Sequence, residues 1–174
     1  MGLRTTTLVF LILATGCRPP GPGAARRVVP EVTMDGVKFQ VDRRGVTTAS
    51  GEAERLTYRR DTTDVAVRGL VMDLVTAGGP VRITAPAGSG HLGSRLFRVT
   101  GGIRATRGSD VAVTPTATSR PDPDGQVGIH GDEAVQLDGP GYRLTGTGFD
   151  IAPASGEVAI HGRPHLVTGL PTRP

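Results

Sequence analysis

Residues 88–93, GSGHLG, match G-x-G-x-x-G and raise the question of a phosphate-cradling loop. Such a loop needs a helix directly after it, so that helix N-terminal amides meet the pyrophosphate. The next residues, SRLFRVTGG, are few, strand-like and ended by two glycines, so a Gly-rich turn is the reading. Four histidines, His91, His130, His161 and His165, invite a metal site of the His-x-His type seen in small β-folds. None forms such a pair, and Gly162-Arg163-Pro164 between His161 and His165 makes a bend rather than a shared helical face. Asp122 and Asp124 in PDPDG are read as turn formers, because too few oxygens come after them at calcium-loop spacing. Asp132 and Glu133 are adjacent and would point to opposite faces of a strand, which disfavours a paired-carboxylate catalyst. No G-x-S-x-G elbow occurs. The chain is therefore expected not to be an enzyme and to hold no cofactor or metal.

The remaining chemistry sits at the N-terminus. MGLRTTTLVFLILATGC has one positive charge, Arg4, an apolar run from Leu8 to Leu13, and small residues ending at Cys17. The 13 uncharged residues between Arg4 and Arg18 would reach roughly 20 Å as a helix, short of the roughly 30 Å hydrocarbon core. A cleaved export signal over residues 1–16 is expected. Ala14-Thr15-Gly16-Cys17 resembles the lipobox of bacterial lipoproteins, with Ala14 where Leu is usual, which implies acylation of Cys17. The single cysteine fits this, since no internal disulfide can form. A conventional signal with a stray cysteine is the competing reading.

These features need elements to carry them. The chain has 174 residues, enough for one domain, with 26 Gly, 14 Pro, no Trp and 3% aromatics, a mix unsuited to long helices. Net charge is +4, and of the 20 basic residues only Lys38 is a lysine. The arginines are scattered rather than gathered into a stripe with stacking aromatics, which argues against nucleic acid as a partner. Residues 17–30, CRPPGPGAARRVVP, are expected to be a lipidated Pro/Gly tether. Beyond it, period-2 alternation takes over, as in Val37-Lys38-Phe39-Gln40-Val41, Val65-Ala66-Val67, Val81-Arg82-Ile83, Val135-Gln136-Leu137, Tyr142-Arg143-Leu144, Phe149-Asp150-Ile151 and Val158-Ala159-Ile160. Many short strands separated by Gly, Pro, Asp and Ser predict an all-β domain over residues 31–170. Pro115 to Gly125 is expected to be a long exposed loop.

Two stretches echo each other. GEAERLTYRRDTTDVAVRG, residues 51–69, and GTGFDIAPASGEVAIHG, residues 146–162, each run through a strand, break at a polar turn and return on a β-branched strand to glycine. Looser copies begin at Gly131 and end at Gly101. Hairpins that cannot bury their own apolar faces share them by stacking, and repeated glycines permit the bends that curl such a sheet. With the anchor and tether, this pattern resembles the lipopolysaccharide-export periplasmic proteins, the LptC/LptA or OstA-like family, over roughly residues 30–168, and LptC most closely.

The resemblance implies a single taco-like β-jelly roll of stacked antiparallel hairpins whose interior carries lipopolysaccharide acyl chains. Its edges would pair with inner-membrane ABC transporter subunits and with an LptA-like bridge protein. The lipid-contacting residues would be Phe39, Val67, Ile83, Phe97, Val99, Leu137, Tyr142, Leu144, Phe149, Ile151 and Ile160, within an inward set that adds Val37, Val65, Val81, Val135 and Val158. It also implies a periplasmic protein on the inner membrane. Arg18, where an Asp commonly retains lipoproteins there, leaves the outer membrane open. LptC proteins usually keep a spanning helix, whereas a lipid on Cys17 would serve here. The same alternation also fits a closed core, and hence an anchored scaffolding lipoprotein.

Overall fold

The computed structural model describes residues 30–121 and 127–170. The export signal, Cys17, the tether up to residue 29 and residues 122–125 of PDPDG lie outside the described residues. Within them the protein is all-β. Ten antiparallel strands run β1 Glu31–Arg43, β2 Val46–Arg59, β3 Asp64–Thr76, β4 Gly79–His91, β5 Leu96–Arg107, β6 Asp110–Pro121, β7 Val127–Gly139, β8 Tyr142–Ala152, β9 Glu157–Ile160 and β10 His165–Thr168. From β1 to β8 each strand pairs with its chain neighbours; β9 and β10 both pair with β8, on its C-terminal and N-terminal halves respectively. The sheet is not closed on itself, because β1 is not paired with β9 or β10. The expected all-β, taco-like roll of stacked hairpins is what the strands form.

A seam crosses the sheet near the middle of the long strands. Pairing shifts between Thr84 and Ala87, Thr100 and Ile103, Val113 and Thr118, and Gly131 and Ala134. Gly36, Gly69, Gly101, Gly102 and Gly148 lie on this line with positive φ. Gly101 and Gly102, with φ of 90° and 94°, need a backbone that a side-chain-bearing residue rarely adopts. Each bulge bends its strand, so a row of bulges in register creases the sheet into two leaves.

Pro115 sits on this seam. Residues 115–121 belong to β6, which corrects the loop expected from Pro115 onward. A proline is tolerated there because the β6–β7 ladder lapses between Val113 and Thr118, leaving no hydrogen bond for its missing N–H to make.

The core lines the inside of the crease. Leu70, Ala85, Ile103, Ala117, Val135 and Phe149 form one buried cluster, one from each of six successive strands, with Ala49 and Ala53 buried beside it on β2. No polar or charged residue is buried among the described residues. The leaves meet again at one corner, where Ala77 N in the β3–β4 turn donates to Pro153 O in the β8–β9 turn at 3.2 Å.

Glycine has a second task on the inner face. A Cβ at Gly90 would meet the Phe97 ring at 2.2 Å, one at Gly131 the Phe149 ring at 2.2 Å, and one at Gly51 the Phe39 ring at 2.9 Å. Gly139 lies under Tyr142 in the same way. Each aromatic therefore covers the bare backbone of a cross-strand glycine. Where φ is compatible, Gly→Ala ordinarily stabilises a fold by about 0.4–1 kcal/mol. Gly131→Ala should instead destabilise, by about 1–3 kcal/mol, because the Phe149 ring must move off the space it fills. Chemical denaturation of the two proteins reads the sign directly.

Candidate functional site

The inner face of the creased sheet is the site. Residues paired across strands share a face, so the register decides which side chains line it. On that face Phe39 of β1 stands opposite Gly51, and Val67 of β3 lies between Leu56 and Gly88. Ile83 of β4 lies between Met72 and Ala105, and on β5 Phe97 and Val99 face Gly90 and Gly88. Leu137 of β7 pairs with Leu144 of β8, which pairs in turn with Leu166 of β10, and Tyr142 faces Gly139. Phe149 pairs with Ile160 and Ile151 with Val158 across β8 and β9.

All eleven residues that the resemblance singled out thus fall on the face that carries the core. Phe149 belongs to the buried cluster, and Phe39, Val67, Ile83, Val99, Ile151 and Ile160 pack against it. Phe97, Leu137, Tyr142 and Leu144 are half-buried and sit outside that cluster. Of the wider inward set, Val135 is core, Val37, Val65 and Val81 are half-buried, and Val158 is exposed.

The face is apolar but not sealed. No large side chain among the described residues is completely buried. Toward both ends of the strand order the inner face opens further: Val32, Met34 and Val41 on β1 are exposed, and so are Val158 on β9 and Leu166, 59% exposed, on β10. The arrangement can hold an elongated apolar group along the crease, with no charged side chain buried beneath it.

Several lining residues went unnoticed in the sequence. Ala49, Ala53, Ala85 and Ala117 make the floor of the crease, and alanine carries little signal in an alternation of large apolar residues. Ala49-Ser50-Gly51-Glu52-Ala53 does alternate small with polar, which was the available clue.

The two edges of the sheet differ. β1 is 13 residues long and pairs only with β2, so its outer side has no backbone partner in the sheet. The opposite edge is split into two strands of four residues, with Arg163 at positive φ and then Pro164 between them. A long edge strand is a template for adding a strand, whereas breaks and prolines blunt one; β1 has no proline but is itself bent at Gly36 and irregular between Val41 and Asp42.

Polar side chains decorate the outer face and the turns. Arg55–Asp35 at 2.7 Å, Arg143–Asp138 at 2.5 Å and Arg82–Asp73 at 3.5 Å are exposed pairs, each contributing little to stability. Of the GSGHLG motif, Gly88 and Gly90 lie in β4 beside Val99 and Phe97, and His91 Nδ1 accepts from Ser94 N at 2.9 Å. The motif is the end of a strand and its turn. On the outer face Asp150 takes hydrogen bonds from both His130 and His161, which hold its carboxyl below the usual carboxylate range. Among the described residues no cluster of His, Cys, Asp and Glu is arranged to hold a metal ion. No family model matches this chain, and no curated protein matches it.

Tyr142 is the one phenol on the inner face with a carboxylate at its hydroxyl: its OH donates to Asp110 at 3.1 Å. Burial, and then that hydrogen bond, raise its ionisation above the ordinary phenol value. Its neutral form is favoured in the folded state, so the associated stability is present at neutral pH and is lost as pH rises through the raised value. In a Tyr58→Phe background, Asp110→Asn should lower the midpoint of the ultraviolet phenolate titration. An unchanged midpoint would show that the hydrogen bond is not made.

Proposed function

We propose that this protein is a lipid carrier of the LptC type, in which the crease holds lipopolysaccharide acyl chains and passes them along an export machine. The observation that supports this most is the inner face itself: an apolar surface from β1 to β10 that is buried only in a row along the crease, half-buried to either side of it and exposed at both edges. A core that served only stability would withdraw its large side chains from water, because each contributes about 1.5–3 kcal/mol when fully buried. Leaving Val32, Met34, Val41, Val158 and Leu166 exposed at the two edges is the arrangement expected of a surface that something else covers.

In this reading the protein is exported and anchored by acyl chains on Cys17, with residues 17–30 as the tether to a periplasmic face, that of the inner membrane by resemblance. Two acyl chains suffice for stable attachment where one is marginal. Inner-membrane ABC transporter subunits and an LptA-like bridge protein would join at strand edges, and β1 suits this best because it is the longer edge and carries no proline. Binding and handing on, without catalysis, is the whole activity. The corner contact between Ala77 and Pro153 is what favours the second reading, a closed scaffolding lipoprotein, since it brings the leaves together at one end.

A lipid-A-type amphiphile separates the two. A carrier's melting temperature rises with amphiphile concentration, equivalent to about 2.7 kcal/mol at a hundred times the dissociation constant; a scaffold's does not. Leu144→Asp and Val99→Asp, both on half-buried inner-face positions, should lose that response while keeping the far-ultraviolet spectrum of a β-protein and membrane attachment. Cys17→Ser should do the reverse, with no acyl label incorporated and the response intact. Uptake that survives both aspartates would remove the crease as the binding surface.

A further inference from the structure

We propose that the β2–β3 and β4–β5 turns form a tip that docks on an anionic bilayer surface, beside the point where the tether enters the sheet. The two turns are tied into one unit. Leu92 N donates to Thr63 O at 3.0 Å. His91 Nδ1 accepts from Ser94 N at 2.9 Å, which leaves Nε2 of the same ring to donate to Thr63 Oγ1 at 3.2 Å.

The tip is apolar and basic at once. Leu92 and Leu96 are 49% and 46% exposed, and Val32 at the start of β1 is 45% exposed. Val32 pairs with Tyr58, just before the β2–β3 turn. Arg60 and Arg95 are exposed at the turns and have no ion pair among the described residues, whereas Arg59 is taken up by Asp61 at 3.6 Å. Exposed leucines beside free guanidiniums suit a headgroup layer, where apolar groups enter the acyl boundary and cations stay level with the phosphates.

Composition alone does not single out this rim. At the far end of β1, the β1–β2 turn offers Arg44 and Val46, the latter 63% exposed. The two ends differ in where the chain arrives. Glu31 pairs with Arg59, so the tether joins the sheet at the tip. The 13 residues of β1 put Arg44 roughly 40 Å farther along the strand. Glu31 and Asp64 offset Arg60 and Arg95, so the turns by themselves are near balance. The surplus is the tether's: residues 17–29 include Arg18, Arg26 and Arg27 and no acid. Anionic lipid is the occupant that this charge favours.

Docked this way, the inner face opens onto the bilayer. Val32, Tyr58, Val65, Gly90 and Phe97 form one cross-strand row of that face, next to the tip. An acyl chain leaving the membrane would meet Tyr58 and Phe97 first. That consequence rests on the carrier reading above; the docking does not.

The chain has no tryptophan, so a single one reports its own surroundings. Full-chain Leu92→Trp and, separately, Val46→Trp are mixed with vesicles of dibrominated phosphatidylcholine, with and without phosphatidylglycerol. Bromine quenches a ring that reaches the acyl boundary. With phosphatidylglycerol present, Leu92→Trp should be quenched and Val46→Trp should not; Leu96→Trp is a second reporter on the same tip. Adding Arg60→Gln and Arg95→Gly, the glycine suiting the φ of 57° there, should lower the docked-to-undocked ratio about fivefold for each charge lost. Equal quenching at residues 92 and 46, or quenching that is as strong without phosphatidylglycerol, overturns the proposal. Flotation of the vesicles reads attachment separately. A chain that floats with no quenching at residues 92 and 96 overturns the tip and leaves the anchor standing, whereas a chain that does not float overturns both. No lipid-A-type amphiphile is present, so none of these results bears on whether the crease carries one.

Discussion

A single sheet has one apolar face and nothing to lay against it, so this protein can shelter that face only by bending the sheet upon itself. Every strand from β2 to β7 pairs with the strands before and after it, and no helix or second sheet supplies a cover among the described residues. The in-register bulges make the bend possible, and the row of buried residues beside them is what the bend achieves. Burial is greatest at the crease and declines toward the strand ends and the two edges, as the exposed Val32, Met34 and Leu166 record. Stability and an open inner surface thus come from one geometric device.

Much of this was legible in the sequence. Alternation of apolar and polar residues survives because one face meets water and the other does not, and it marked the strands and the inward set from Phe39 to Ile160. The paired stretches 51–69 and 146–162 turned out to be β2–β3 and β8–β9, hairpins on the same leaf. Whatever depends on register stayed hidden. His130 and His161 are far apart in the chain, and only the pairing of His130 with Asp150 brings them to one carboxylate. The strand character of residues 115–121 was hidden because proline signals a loop unless the ladder happens to lapse opposite it. The alanine floor was hidden because small residues matter only where two bent strands come close.

Abundant glycine had two explanations, and the sequence suggested only one. Bends account for the positive-φ residues along the seam. Gly51, Gly90, Gly131 and Gly139 are ordinary in backbone conformation, and each lies beneath an aromatic ring. With so few aromatics in the chain, this matching of rings to glycines is a large part of how the inner face is filled.

That matching also sets the texture of the surface. Rings laid over bare backbone stay low, and alanines and glycines alternate with taller branched side chains such as Leu70, Ile103 and the Leu137–Leu144–Leu166 row. The inner surface is therefore uneven, low where a ring or an alanine lies and raised where a leucine or isoleucine stands, so whatever apolar group came to rest on it would have to flex to follow that relief.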